Sequence, residues 1–240
     1  TQLKHFNERC PDYVEWLQAQ LGNDDFAQQL ATAWSCSVFV AEYCQRKPHA
    51  FKQLIEQQEH LVSYGDKSLA QRLSQKLQSV ATKEQLDAAL RQFRNREMLR
   101  IIWRDFNRLA DMVETTADIS HLADACIQQA LDFHHNELVQ AYGQPCSDIN
   151  GQSVPQHLVV LGMGKLGAFE LNLSSDIDLI FCFPHSGETV GEKKSIDNHT
   201  FFGRLGQRLI QSLDAPTEDG FVFRVDMRLR PYGDSGPLVQ

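Results

Sequence analysis

The chain has 240 residues, 42% hydrophobic and 22% charged, enough to pack one large domain or two small ones. Its formal net charge of -8 argues against a general nucleic-acid binder, which carries a basic surface. No apolar run approaches the roughly 20 residues a membrane helix needs, and the opening TQLKHFNERCPDYVEW lacks a signal-peptide layout.

Six cysteines, Cys10, Cys36, Cys44, Cys126, Cys146 and Cys182, are scattered without a CxxC pair. Zinc spacing and a disulfide-stapled small fold are both disfavoured, and reduced thiols in a cytoplasmic protein are expected. The chain lacks an initiator methionine and stops at GPLVQ, so a fragment of a longer protein is expected.

Residues 1–142 read as a helical region. ATAWSCSVFVAEYCQR is apolar at helical spacing and gives way before Pro48, which starts a new segment. KEQLDAALRQF is amphipathic. FRNREMLRIIWRDFNRLADMV is the clearest helix, with Met98, Ile102, Phe106, Leu109 and Val113 in one apolar stripe. Arg96, Arg100, Arg104 and Arg108 repeat on another face, interspersed with Glu97, Asp105 and Asp111, so that face is expected to be solvated. ISHLADACIQQALDFHHNELVQAY predicts a further helix from about Ser120. Its adjacent His134 and His135 share no helix face and match no metal-ligand spacing.

GQPCSDINGQSVPQ, residues 143–156, breaks the helical period and reads as a linker. Beyond it, HLVVLGMG and DIDLIFCF predict strands and HSGETVGEKKSIDN a polar loop. TFFGRLGQRLIQSL predicts an amphipathic helix with Phe202, Leu205, Leu209 and Leu213 on one side. GFVFRVDMRLRP alternates strictly and predicts a third strand. The expected class is α+β, a helical region followed by a module over 157–240 that is cut short on its C-terminal side.

GMGKLG, from Gly162 to Gly167, matches GxGxxG after a predicted strand. Too little room remains before Asp176 for the helix of a dinucleotide-binding unit, and the acids open the second strand rather than close it. Either the turn is simply tight, or its backbone N–H groups, at Gly162 and Gly164, and Lys165 approach a phosphate.

Asp176 and Asp178 lie two apart on a predicted strand, so their side chains share one face while Ile177 and Leu179 point into the core. Two like charges side by side repel, and a divalent cation such as Mg²⁺, which takes oxygen ligands, resolves this. Ser174 and Ser175 offer hydroxyls and N–H groups just ahead. Two solvated acids at a strand end are the plainer alternative. Asp226, among Arg224, Arg228 and Arg230 on the polar face of the third strand, is a candidate third carboxylate, and Arg228 and Arg230 are candidate phosphate donors.

GMGKLGAFELNLSSDIDLIF and DGFVFRVDMRLRPYGDSGPLV, with FRNREMLRIIWRD upstream, resemble the polymerase-β type of nucleotidyltransferase. At finer grain they resemble the bacterial glutamine synthetase adenylyltransferase/adenylyl-removing enzyme family. Ala168 departs from that family, which commonly has another glycine there. The resemblance implies a polymerase-β-type module with a small mixed or antiparallel sheet. It also implies Mg²⁺ held by Asp176, Asp178 and Asp226, and glutamine synthetase, the PII signalling protein, ADP or ATP and phosphate as partners. SSDIDLIF and FVFRVDMRLRP look more like the amino-terminal module of that family, which removes AMP from a tyrosine of glutamine synthetase by phosphorolysis. The forward reaction from ATP, or a scaffold fragment inactive alone, are the alternatives.

Overall fold

The protein is described by a computed structural model over residues 2–65, 68–191 and 194–240. Contacts gather the chain into two compact units, Thr1–Asp66 with Gln92–Ile119, and Lys67–Arg91 with Ser120–Gln240. The helices, in chain order, are α1 (Gln2–Arg9), α2 (Val14–Leu21), α3 (Asp24–Cys36), α4 (Val38–Arg46), α5 (Pro48–Glu56), α6 (Ser68–Leu77), α7 (Lys83–Phe106), α8 (Met112–Tyr142), the single turn α9 (Gly164–Gly167) and α10 (Asn198–Asp214). The strands are β1 (Gln144–Ile149), β2 (Gln152–Pro155), β3 (Val159–Met163), β4 (Ile177–Cys182), β5 (Glu188–Val190) and β6 (Val225–Asp226). Among the described residues, no helix is long and apolar enough to cross a membrane.

The first unit is helical around a core that includes Phe6, Leu17, Phe51, Leu54 and Trp103, all fully buried. The stretch ATAWSCSVFVAEYCQR is two helices rather than one. Ser37 is extended between them, and its Oγ accepts the Val40 N–H at 3.2 Å to cap α4. Pro48 opens α5 at the position where a missing N–H costs nothing.

Two expectations about the next helices change. The apolar stripe ends with α7 at Phe106, because Arg108 takes left-handed backbone (φ +56°) and α8 begins at Met112, well ahead of Ser120. Leu109 and Val113 are therefore exposed. Of the arginine face only Arg108 is exposed, and Arg96, Arg100 and Arg104 are drawn inward. Arg100 and Glu97 are fully buried, with Arg100 Nε 2.9 Å from Glu97 Oε2 and Nη2 2.6 Å from Asp118 Oδ2. The Arg100 guanidinium also lies over the Tyr64 ring at 3.8 Å. Arg96 pairs with Glu59 and Glu97, and Arg104 with Glu114 at 2.7 Å. Carboxylates that arrive from other segments bring the arginines inside, where charges must be paired.

The second unit holds two three-stranded sheets, in the orders β2-β1-β5 and β3-β4-β6. Residues 143–156, expected as a linker, fold as the β1–β2 hairpin. Asn150 (φ +56°) and Gly151 (φ +81°) supply the two left-handed residues of its turn. β5 lies within the expected polar loop, of which Glu192 and Lys193 fall outside the described residues.

In the other sheet, β4 is central, antiparallel to β3 and parallel to β6. Ile177, Leu179 and Phe181 are fully buried, as the alternation required. Phe202, Leu205, Leu209 and Leu213 of α10 are fully buried as well. A Cβ on Gly206 of α10 would stand 2.9 Å from Phe181 Cδ2, so this helix lies hard against the sheet. The third strand is far shorter than the alternation predicts. Val222 and Phe223 are both buried, Leu229 is 53% exposed, and only Val225 and Asp226 pair. Further along β4, Gln240 N donates to Phe181 O and Phe183 N to Gln240 O, each at 3.0 Å.

Candidate active site

The buried row Ile177, Leu179 and Phe181 fixes which way β4 faces, and this turns Asp178, Ile180 and Cys182 to the opposite, half-exposed side. Parallel pairing then places Asp226 directly beside Asp178, with Met163 of β3 opposite on the other flank. Neighbouring strands lie about 4.8 Å apart, so the two carboxylates form one local group. Asp176 lies just outside β4 and is exposed.

The glycine turn closes over this group. Gly164 has φ +52°, and a Cβ there would stand 2.8 Å from Asp178 Oδ2. A Cβ on Gly167 would meet Gly162 O at 2.5 Å, so the α9 turn can be this tight only without side chains. Ala168 takes ordinary right-handed backbone (φ -91°, ψ -2°), and nothing there requires the missing glycine. Lys165 is exposed on α9.

Ser174 and Ser175 are organised by Asn172, a residue the sequence reading passed over. Asn172 Oδ1 accepts from Ser174 N at 3.2 Å and from Ser175 Oγ at 2.8 Å, while Ser175 Oγ accepts from Asn172 N at 3.2 Å. An Asx-type turn after Leu171 was the available signal.

The arginines meet the carboxylates directly. Arg224 Nε stands 2.6 Å from Asp176 Oδ1, and its Nη2 donates to Ser174 O at 2.9 Å. Arg228 forks onto Asp226, with Nε at 2.8 Å and 3.0 Å from the two oxygens, and its backbone N–H donates to Oδ1 at 2.8 Å. These side-chain and backbone bonds from Arg228 hold the Asp226 carboxyl below the usual carboxylate range. Arg230 Nη1 donates to Met227 O at 2.7 Å.

The structure thus brings Asp178 and Asp226 together, with Gly164 against Asp178, and ties Asp176 to Arg224. Among the described residues, no group of three or more His, Cys, Asp or Glu side chains is gathered closely enough to hold a metal ion. In kind the donors suit Mg²⁺: all are hard carboxylate oxygens, two of them on in-register strands.

Arg91 of α7, which binds the chain between α10 and β6, was also missed. It is 1% exposed; Nε donates to Gly220 O at 2.9 Å, Nη1 to Asp87 O at 2.9 Å, and Nη2 to Ala215 O. It therefore ties the start of the connection that leaves α10, at Ala215, to its middle, at Gly220. Its signal, an arginine within an amphipathic helix, is indistinguishable in sequence from a surface residue.

A helical region ahead of a small mixed sheet whose central strand shares in-register carboxylates with its neighbour is what the nucleotidyltransferase resemblance requires. Residues 27–240 match the glutamate-ammonia ligase adenylyltransferase family, and the chain belongs to that family. It is 50% identical over 224 residues to the bifunctional glutamine synthetase adenylyltransferase/adenylyl-removing enzyme of Pseudomonas aeruginosa, covering 93% of this chain and 22% of that protein. Against the proteins of the same name from Pseudomonas putida and Shewanella loihica it is 51% and 46% identical, covering 88% and 97% of this chain and 22% and 23% of theirs. The chain spans less than a quarter of the length of these relatives.

Proposed function

We propose that residues 157–240 form a nucleotidyltransferase module that removes AMP from an adenylylated tyrosine of glutamine synthetase. Inorganic phosphate attacks the α-phosphorus, the bond to the tyrosine oxygen breaks, ADP leaves, and the tyrosinate takes a proton from water. The observation that carries this reading is the pairing of Asp178 with Asp226 beneath the Gly164 turn. The names of the relatives join adenylylating and adenylyl-removing activities. The strings SSDIDLIF and FVFRVDMRLRP favour the removing direction.

Asp178, Asp226 and Asp176 would hold Mg²⁺, which when bound stabilises charge on the entering and leaving oxygens. β4 fixes Asp178 on the open face, and the bare backbone of Gly164 leaves its carboxylate room. Arg228 and Arg230 offer planar donors to the incoming phosphate, and Lys165 on the neighbouring turn offers an ammonium to the nucleotide. Positioning and electrostatics supply most of the rate, as in other phosphoryl transfers. A PII-type signalling protein as regulator and the cytoplasm as location belong to the same proposal.

The test is incubation with adenylylated glutamine synthetase, Mg²⁺ and phosphate, following ADP, with Asp176→Asn/Asp178→Asn as control. ADP from the wild type alone supports the proposal, and equal ADP from the double variant sinks the carboxylate roles. Consumption of ATP with unmodified glutamine synthetase instead would assign the forward reaction. Binding of glutamine synthetase with no metal-dependent turnover would assign a scaffold.

A further inference from the structure

Arg224 and Arg228 flank Asp226 in sequence, yet each closes on a different carboxylate. Arg224 pairs with Asp176 at 2.6 Å, and Arg228 pairs with Asp226, its Nη2 at 2.5 Å from Oδ2. Both guanidinium groups face solvent, 54% and 79% exposed, whereas Asp226 is 15% exposed. Ion pairs this exposed are weak and exchange readily. Asp226 also accepts the backbone N–H of Arg228 at 2.8 Å, a bond that persists when the side chain swings away. Its carboxylate therefore keeps its aim without the guanidinium.

We infer that Arg224 and Arg228 are exchangeable counter-ions: a divalent cation displaces both from Asp176 and Asp226, and the freed guanidinium forks then receive the phosphate-bearing substrate. This rests on the metal-dependent reading above and adds Arg224 as an anion-binding residue. The charge balance favours the exchange. Two monocations leave as one dication enters, so the net charge around the three carboxylates is the same before and after. Neither stage leaves the aspartates to repel one another. A guanidinium suits both partners, since its planar donors match carboxylate and phosphate alike. The order of binding follows: metal first, anion second, because the anion's donors are engaged until the metal arrives.

The exchange is read on the arginines themselves. The chain is labelled with ¹⁵N, Arg224→Lys and Arg228→Lys assign the two Nε–H signals, and calorimetry follows Mg²⁺ directly. Both signals should move at saturating Mg²⁺ and move again on adding inorganic phosphate, while phosphate without Mg²⁺ leaves them in place. Arg228→Gln should bind Mg²⁺ more tightly, by up to about fivefold, the worth of a surface ion pair, and should bind phosphate more weakly. Mg²⁺ binding that Asp178→Asn abolishes, with unmoved arginine signals, overturns the exchange and leaves the metal site standing. Absence of any Mg²⁺ binding overturns both.

Discussion

Gly164 and Asp178 fit so closely that one added carbon would collide: a Cβ on Gly164 would stand 2.8 Å from Asp178 Oδ2, at a backbone φ of +52°. Gly164→Ala should therefore push the carboxylate aside and strain the turn. We expect a stability loss of about 1 kcal/mol and a fall in turnover of ~100-fold, as for a misplaced catalytic group. Thermal unfolding and ADP-release assays on the same preparation check both. Full activity in this variant would mean that the Asp178 position is not critical.

Arg91 acts at a distance from the carboxylates. Arg91→Met leaves the carbonyls of Gly220 and Ala215 without their buried donor. Loss of such bonds costs about 3 kcal/mol in total, measurable by urea unfolding. Turnover should fall further than folded fraction alone explains, because the loop ahead of Asp226 loosens.

The Arg100–Glu97–Asp118 cluster predicts a larger stability effect. Arg100→Met strands the buried Asp118 and leaves Glu97 with Arg96 alone, and should cost about 3–5 kcal/mol, with no direct effect on Mg²⁺ affinity. Denaturant titration of Arg100→Met and of Glu97→Gln, combined in a double-mutant cycle, gives the coupling; values near zero would mean the cluster is not a stabilising unit.

Stability should depend on pH through buried imidazoles. His134 is fully buried, with Nε2 2.8 Å from Ser212 Oγ and Nδ1 3.2 Å from Glu137 Oε2. Burial lowers its pKa from the ordinary 6.5 despite Glu137, with Arg208 adding to the lowering, and burial lowers His60 and His135 likewise. Below about pH 6.5 the unfolded chain binds protons that the folded chain refuses. Stability is thus full above the unfolded value and falls as pH drops, by at most about 1.4 kcal/mol per pH unit for each histidine. Melting temperatures between pH 7.5 and 5.0 should show this slope, and His134→Gln should flatten it. An unchanged slope would exclude His134 as a contributor.

Period-2 alternation made β4 legible, since one buried face leaves Asp178 only one direction to point. It failed for GFVFRVDMRLRP because alternation specifies a strand only when a partner extends beside it, and β4 offers pairing to Val225 and Asp226 alone. The arginine stripe misled because its neighbours in sequence include acids at helical spacing, while Glu59 and Asp118, which draw it inside, lie far along the chain. The hairpin at 143–156 was readable: Asn150–Gly151 between two short runs is a strong turn signal, masked because the same Gly, Pro, Ser and Asn content also marks irregular loops. The α7–α8 boundary turns on the left-handed backbone of Arg108, a residue type with no preference for it.

The brevity of β6 has a consequence for the order in which the molecule takes shape. The β3–β4 pair closes across residues 164–176, a shorter connection than the one to β6, and carries Asp176 and Asp178 with it. Asp226 joins by a long crossover through α10 and is held to the sheet by a two-residue ladder. Long-range closure is slower and entropically dearer than local pairing. The third acid therefore arrives last in folding and is the first to leave in partial unfolding. Amide exchange should be faster at Val225 and Asp226 than along β4, and a site whose last component docks so lightly can be dismantled without melting its core.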